Sequence, residues 1–368
     1  MRPPGQRLIG IDALKGIACV VIVWHHLAFY GPMSDVIYPR APGLTDWLYD
    51  YGRMAVQVFL VVSGFLAASA LAPRGVATFG PPAQLVFRRY LRLVRPFLVA
   101  LAVTVAVAWW VRPWFDHPSV PDAPTLLQLL AHGLLLQDVL GLDALSAGVW
   151  YVAIDLQLFA MTVLALGLAR GLQRRWPGVS AQRWGTSFLL LLATASLLFF
   201  NRKENFDDTG LYFFGAYALG LLAFWASAAL NKAGKRSNGS AGLWLLAMAV
   251  LGGAALVLDF RGRLAVALVA SFGLVGLQLH AVPWRWLEQR WLTQLGRISY
   301  SVFLIHFPVC LLVNAVVSRF WPAQMVANAL GLLAAFLLSL LAGAALYRAV
   351  EYRAASARRL PRADSVTL

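Results

Sequence analysis

The stretch IDALKGIACVVIVWHH, residues 11–26, sets an acid, a base and two imidazoles into an apolar run. On an α-helix turning about 100° and rising about 1.5 Å per residue, Lys15 and His26 share a face to within about 20°, about 16 Å apart along the axis. Asp12 falls about 40° from His26 and about 21 Å below it, and His25 points about 100° away. A neutral imidazole can take a proton from an attacking hydroxyl or carry a transferred group itself. Asp12 is too distant to orient the His26 ring as the acid of a hydrolytic triad does. The pattern is that of a passage wall, charged at one end and titratable at the other, and ionisable groups inside a span usually mark function. A second reading of Lys15 stays open, in which it pairs with Asp12 at i,i+3 and snorkels out of the membrane.

Other polar side chains interrupt apolar runs further along. Ser63 lies in VFLVVSGFL, Asp155 in WYVAID and His306 in LIHFPV, while Arg89 and Arg92 lie in RRYLRLVRP. Each has a structural alternative. Ser-Gly in a span commonly serves close helix packing, and His306 suits a histidine bonded to a neighbouring helix. The arginines suit topology-setting charge, and Asp155 suits a helix-start acid in water. His280 and Glu351 read as structural. His117 and His132 have no metal-ligand spacing, so no metal site is expected. Cys19 and Cys310 sit in apolar runs and read as small core residues.

The elements that must position these groups are membrane helices. Hydrophobic residues make up 60% of the 368, charged residues 13%, and apolar runs of span length recur along the chain. The fold class is therefore all-α and polytopic, with spans expected near 9–29, 54–72, 94–111, 147–169, 185–200, 210–230, 242–259, 264–282, 298–318 and 326–347. With the N-terminus inside, 22 of the 31 Lys and Arg residues fall in cytoplasmic segments and 8 outside, which supports ten spans with both termini cytoplasmic. That placement also argues that the net charge of +15 reflects topology and not nucleic-acid binding. The stretch 125–141 carries Gln128, His132, Gln137 and Asp138, and is expected to be interfacial or re-entrant. The first run is expected to be an uncleaved span, because Asp12 and Lys15 interrupt it and no small-x-small site follows. Residues 1–353 read as one membrane domain and 354–368 as a disordered basic tail. The outer segments 30–53 and 112–146 could form a lid or acceptor surface. No strong internal repeat is visible.

Taken together, these residues resemble the acyltransferase-3 family of integral-membrane O-acyltransferases. DALKGIA (Asp12–Ala18) with a histidine eleven residues after Lys15 is similar to its first span. VFLVVSGFL is similar to its Phe-x-x-Ser-Gly-Phe span, RRYLRLVRP to its Arg-x-x-Arg loop and WYVAID to its Trp-x-x-x-x-Glu. LGRISYSVFLIHFPV resembles its late Gly-x-Ser-Tyr-x-x-Tyr-Leu-x-His-x-Pro segment, and VEYR, with Glu351, its closing acid. The match runs in order over about residues 7–353. It departs at Asp155, shorter than the usual Glu by a methylene, at Phe303, where Tyr is common, and at the later proline of RLVRP.

The resemblance implies transfer of an acyl group, commonly acetyl, from cytoplasmic acyl-CoA to a hydroxyl of an extracytoplasmic carbohydrate, as in O-acetylation of a cell-envelope or exported polysaccharide. Acyl-CoA would be a co-substrate, with no permanently bound cofactor, and the protein would be a multi-pass protein of the cell membrane. Under this reading His26 is general base or acyl carrier. Asp155 orients its imidazole or holds the acceptor, and Lys15, Arg89 and Arg92 bind the donor. Asp12, Ser63 and His306 support them. The alternative from another class is a proton- or solute-coupled transporter with Asp12, Lys15 and His26 lining its path.

Overall fold

In the first span Ile9–Phe29 forms one uninterrupted helix, α1, with Lys15 and His26 toward opposite ends. The computed structural model describes residues 9–232, 239–279 and 285–352, and no strand occurs among them. His280 and the expected tail 354–368 lie outside the described residues. After α1 come the short helices α2 (Pro32–Ile37) and α3 (Pro42–Tyr51), then α4 (Val56–Leu71) and α5 (Pro82–Val111). The nine-residue α6 (Leu126–Leu134) precedes α7 (Val149–Arg175), α8 (Ala181–Leu198), α9 (Gly210–Lys232) and α10 (Gly239–Leu258). The chain continues through α11 (Gly262–Gln278), α12 (Arg290–Phe320) and α13 (Met325–Leu346), which runs on as a π-helical turn over Tyr347–Tyr352.

Among the described residues nine helical segments are long and apolar enough to cross a membrane, and Gly262–Gln278 is a shorter apolar helix. These occupy the ten expected positions. Two boundaries differ in ways that matter. The outer segment 30–53 is largely helical, because Pro32 and Pro42 each start a helix where a missing N–H costs nothing. Pro82 likewise starts α5 twelve residues before the expected 94, since PAQLVFRRYLRL contains no breaker. Arg89 and Arg92 therefore sit on a helix and not in a loop.

Helix crossings place the site. α12 packs beside α1, and α4 crosses α9 where glycine is required on both sides. A Cβ on Gly64 would strike the Tyr217 carbonyl, and one on Gly220 would strike that of Val61. Small residues at such a crossing let backbones approach closely, which is how membrane helices gain packing where burial from water is not available.

The stretch 125–141 and the residues flanking it lie beside α5. Arg112 donates to the Pro121 carbonyl at 2.7 Å, and Tyr90 Oη, about 33 Å along α5, donates to the Gly133 carbonyl at 2.7 Å. The Leu145 amide then donates back to His132 Nε2 at 3.2 Å, and Thr104 meets Ser146 at 3.4 Å. Its helix, nine residues and about 13 Å long, is too short to cross a membrane, as expected of an interfacial or re-entrant segment. Thr125 and Gln128 close a capping box at its start, and Leu135 turns it back with φ 58°. Gly148 and Val149 are buried, so α7 begins inside the protein and not at its surface.

Two outcomes test this framework. Gly64→Val is expected to cost at least about 3 kcal/mol, the upper range for overpacking, and to lower the melting temperature in detergent. Gly43→Val, whose Cβ would meet nothing within 4 Å, should leave it unchanged. Burial, and secondly the charge of Asp208, pushes the Asp138 carboxyl up to about 6. A carboxyl raised by folding contributes fully below its unfolded value of about 4, and that contribution is lost as pH rises through 6. Asp138→Asn should therefore raise the melting temperature at pH 7 and flatten its rise between pH 7 and pH 5.

Candidate active site

A cavity of about 550 Å³ is lined by α1, α4, α5, α7, α12 and the turn after α13. Its rim carries Lys15, Arg92, Arg95 and Arg297, of which the three arginines are exposed. Ser63, Arg89 and Asp155 lie within, and Phe59, Tyr151 and Phe303 are further lining residues. Lining cations outnumber the carboxylates Asp155 and Glu351, so the rim attracts anions, and guanidinium forks suit phosphate oxygens. Lys15 Nζ is 3.3 Å from Asp12 Oδ1, so it makes the i,i+3 pair and lines the cavity as well. Glu351 accepts from the Ser301 hydroxyl, tying the turn after α13 to α12.

The strongest polar contact inside is an ion pair. Arg89 Nη2 and Nε donate to Asp155 Oδ2 at 2.6 and 3.1 Å, and Ser63 Oγ donates to Asp155 Oδ1 at 2.6 Å. The guanidinium also stands 5.3 Å over the Phe159 ring. This cluster bears on the expectations for Asp155 and Arg89. Both oxygens of Asp155 are engaged away from His26, so Asp155 does not orient that imidazole. α7 starts buried at Gly148 and Val149, so Asp155 is not a helix-start acid in water. Arg89 faces Asp155, so of the two motif arginines Arg92 is the one on the rim. Within Ser63-Gly64 the roles divide, the glycine packing on α9 and the serine holding Asp155.

His26 is oriented by His306. The rings lie nearly parallel, 6° apart, and His26 Nδ1 is hydrogen-bonded to His306 Nε2. His306 Nδ1 lies 2.7 Å from the Phe303 carbonyl. A carbonyl only accepts, so His306 Nδ1 carries a proton and, in the neutral ring, Nε2 carries the lone pair. His26 must then donate from Nδ1, which leaves its Nε2 as the basic nitrogen. An imidazole whose tautomer is set by a second group is the arrangement of a general base. His25, by contrast, donates from Nδ1 to the Leu48 carbonyl at 2.8 Å and fastens α3 to α1. Neither His26 nor His306 lines the cavity. The Phe303 ring lies between, 6.0 Å from the His306 ring and 5.4 Å from Tyr151.

Comparison with known families decides the class. A family model described as an acyltransferase domain matches residues 8–348, nearly the whole chain. The chain belongs to the acyltransferase-3 family. Neither the curated proteins nor the solved structures gave a match. Family membership makes this a membrane acyltransferase and favours group transfer over the solute-transport reading. Within an acyltransferase-3 protein, Arg95, Arg297, Tyr151, Tyr300 and Phe59 join the candidate site as cavity residues that sequence reasoning passed over. The two arginines looked like ordinary topology-setting charges. The aromatics sit in apolar runs where nothing in composition separates a cavity wall from a core.

The ion pair yields an asymmetric expectation. Arg89→Met leaves the 4%-exposed Asp155 side chain charged and unpaired, and should cost about 3–5 kcal/mol. Asp155→Leu should cost less, because the guanidinium it frees is 25% exposed and faces the cavity. The double variant should be more stable than Arg89→Met alone, as read by thermal melting in detergent.

Proposed function

We propose that this protein transfers an acyl group, acetyl foremost, from cytoplasmic acyl-CoA to a hydroxyl of an extracytoplasmic carbohydrate of the cell envelope or an exported polysaccharide. The observation that carries this reading is the cationic-rimmed cavity ending one aromatic ring away from a tautomer-fixed histidine pair. Both termini are cytoplasmic in this reading, on the positive-inside distribution, so the Lys15 end of α1 faces the donor. Arg92, Arg95, Arg297 and Lys15 attract the phosphates of CoA. The pantetheine arm follows α1 inward, and the Lys15–His26 rise of about 16 Å is comparable to its extended reach.

The chemistry is direct. His26 Nε2 takes the proton of the acceptor hydroxyl as that oxygen attacks the thioester carbonyl. The C–O bond forms, the C–S bond breaks and the proton passes to the leaving thiolate. His306 stabilises the imidazolium by accepting from Nδ1, and a transient acyl-imidazole uses the same nitrogen. The outer segments, with α2 and α3 in the first, supply the acceptor surface. Asp155 and Arg89 hold the cavity wall in shape.

Purified protein with radiolabelled acetyl-CoA and a panel of carbohydrate acceptors tests the reading. Wild type is expected to turn over. His26→Ala should lose about 100-fold or more, the usual contribution of a general base. His25→Ala should keep turnover within a few-fold while melting earlier, because it loses only the tie to α3. A wild type that binds no acyl-CoA would sink the proposal.

A further inference from the structure

Phe303 occupies a position that neither the ion pair nor the histidine pair explains. Its side chain is buried, at 4% exposure, although it lines the cavity. Its ring packs 5.4 Å from Tyr151 and 6.5 Å from Phe59 on the cavity side, and 6.0 Å from the His306 ring beyond. The tip of the ring rests on Gly148, where a Cβ would come within 2.6 Å of Cζ. Gly148 has φ +76°, which favours glycine sterically, so the backbone there both allows the turn into α7 and leaves room for the ring. The Phe303 carbonyl accepts from His306 Nδ1 at 2.7 Å. Phe303 thus fixes the tautomer of the pair with its backbone while its ring walls the pair off from the cavity. A χ rotation would move the ring and leave that hydrogen bond in place.

We infer that Phe303 is the positioning residue that admits the acyl end of the donor. Its ring separates the cavity from His26 until a thioester enters and displaces it, and so keeps cavity water from the imidazole. This rests on the acyl-CoA reading of the same site. The step it suppresses is hydrolysis. Water's oxygen would bond to the thioester carbonyl carbon, the C–S bond would break, and the proton taken by His26 Nε2 would pass to the thiolate.

Two readouts separate the wall from the donor. The first uses full-length protein with Cys19 and Cys310 replaced by Ala and a His26→Cys reporter, treated with a small charged methanethiosulfonate. Phe303→Ala should raise the reporter's modification rate at least tenfold, and Phe303→Leu, which keeps apolar bulk should folding suffer, by less. Phe303→Tyr should leave it slow, and a Ser63→Cys reporter inside the cavity should react alike in all. Equal rates at position 26 with and without the Phe303 ring would overturn the wall. The second readout keeps His26 and measures acetyl-CoA hydrolysis without acceptor. Phe303→Ala should raise it severalfold with acetyl-CoA affinity unchanged, and Phe303→Tyr should restore the low rate. Faster reporter labelling in a protein that binds no acetyl-CoA would sink the donor reading and with it this role for Phe303. Acetyl-CoA turnover by wild type with position-26 labelling indifferent to Phe303 would sink the wall alone.

Discussion

A carboxylate held inside a membrane protein must be compensated, and the Arg89–Asp155 pair is the compensation around which this site is built. Charges removed from water attract each other strongly but have each lost several kcal/mol of hydration, so geometry decides whether the pair is tolerated. Here the geometry is complete. Two guanidinium nitrogens reach one carboxylate oxygen, and the Ser63 hydroxyl fills the other. Satisfying them draws α5, α7 and α4 together, and those three helices form much of the cavity wall. Gly64 contributes from behind, because only a glycine lets α4 sit close enough to α9 for Ser63 to keep its place.

The histidine pair follows a different logic. Its members lie 280 residues apart and meet because α1 and α12 run side by side. Hydrogen bonds pass a single polarity along the chain, from the Phe303 carbonyl through His306 to His26, and end at one basic nitrogen. On the proposed function a second imidazole does the work that an acid does in other proton-transfer sites, without placing another charge in the membrane. The acid that is present, Asp155, is spent on structure. His25, adjacent in sequence, faces another way and secures α3, which separates a site residue from a tethering one across a single peptide bond.

Aromatic side chains give the cavity its end. Phe59, Tyr151 and Phe303 close around one another, and behind them stand the imidazoles. The cationic rim lies on the other side, so the cavity graduates from charge that suits phosphate to rings that suit an apolar arm. The proposed transfer from acyl-CoA asks for such a gradient, together with a means of keeping water from the reacting carbon.

Much of this was written in the sequence. Apolar runs of span length and the distribution of Lys and Arg determined an all-α membrane protein, because lipid leaves backbone groups no partner outside the helix. Lys15 and His26 share a helix face by arithmetic, and DALKGIA, SGF and SYSVFLIH marked the family. The partners were not legible. That Asp155 turns to Arg89, and His26 to His306, depends on how deep each helix begins. Depth is set by features with no local signature, namely the buried start of α7 at Gly148 and the early start of α5 at Pro82. Periodicity within one helix records which face a residue occupies. Only packing between helices decides what that face meets, and so the chemistry of each residue was readable where its partner was not.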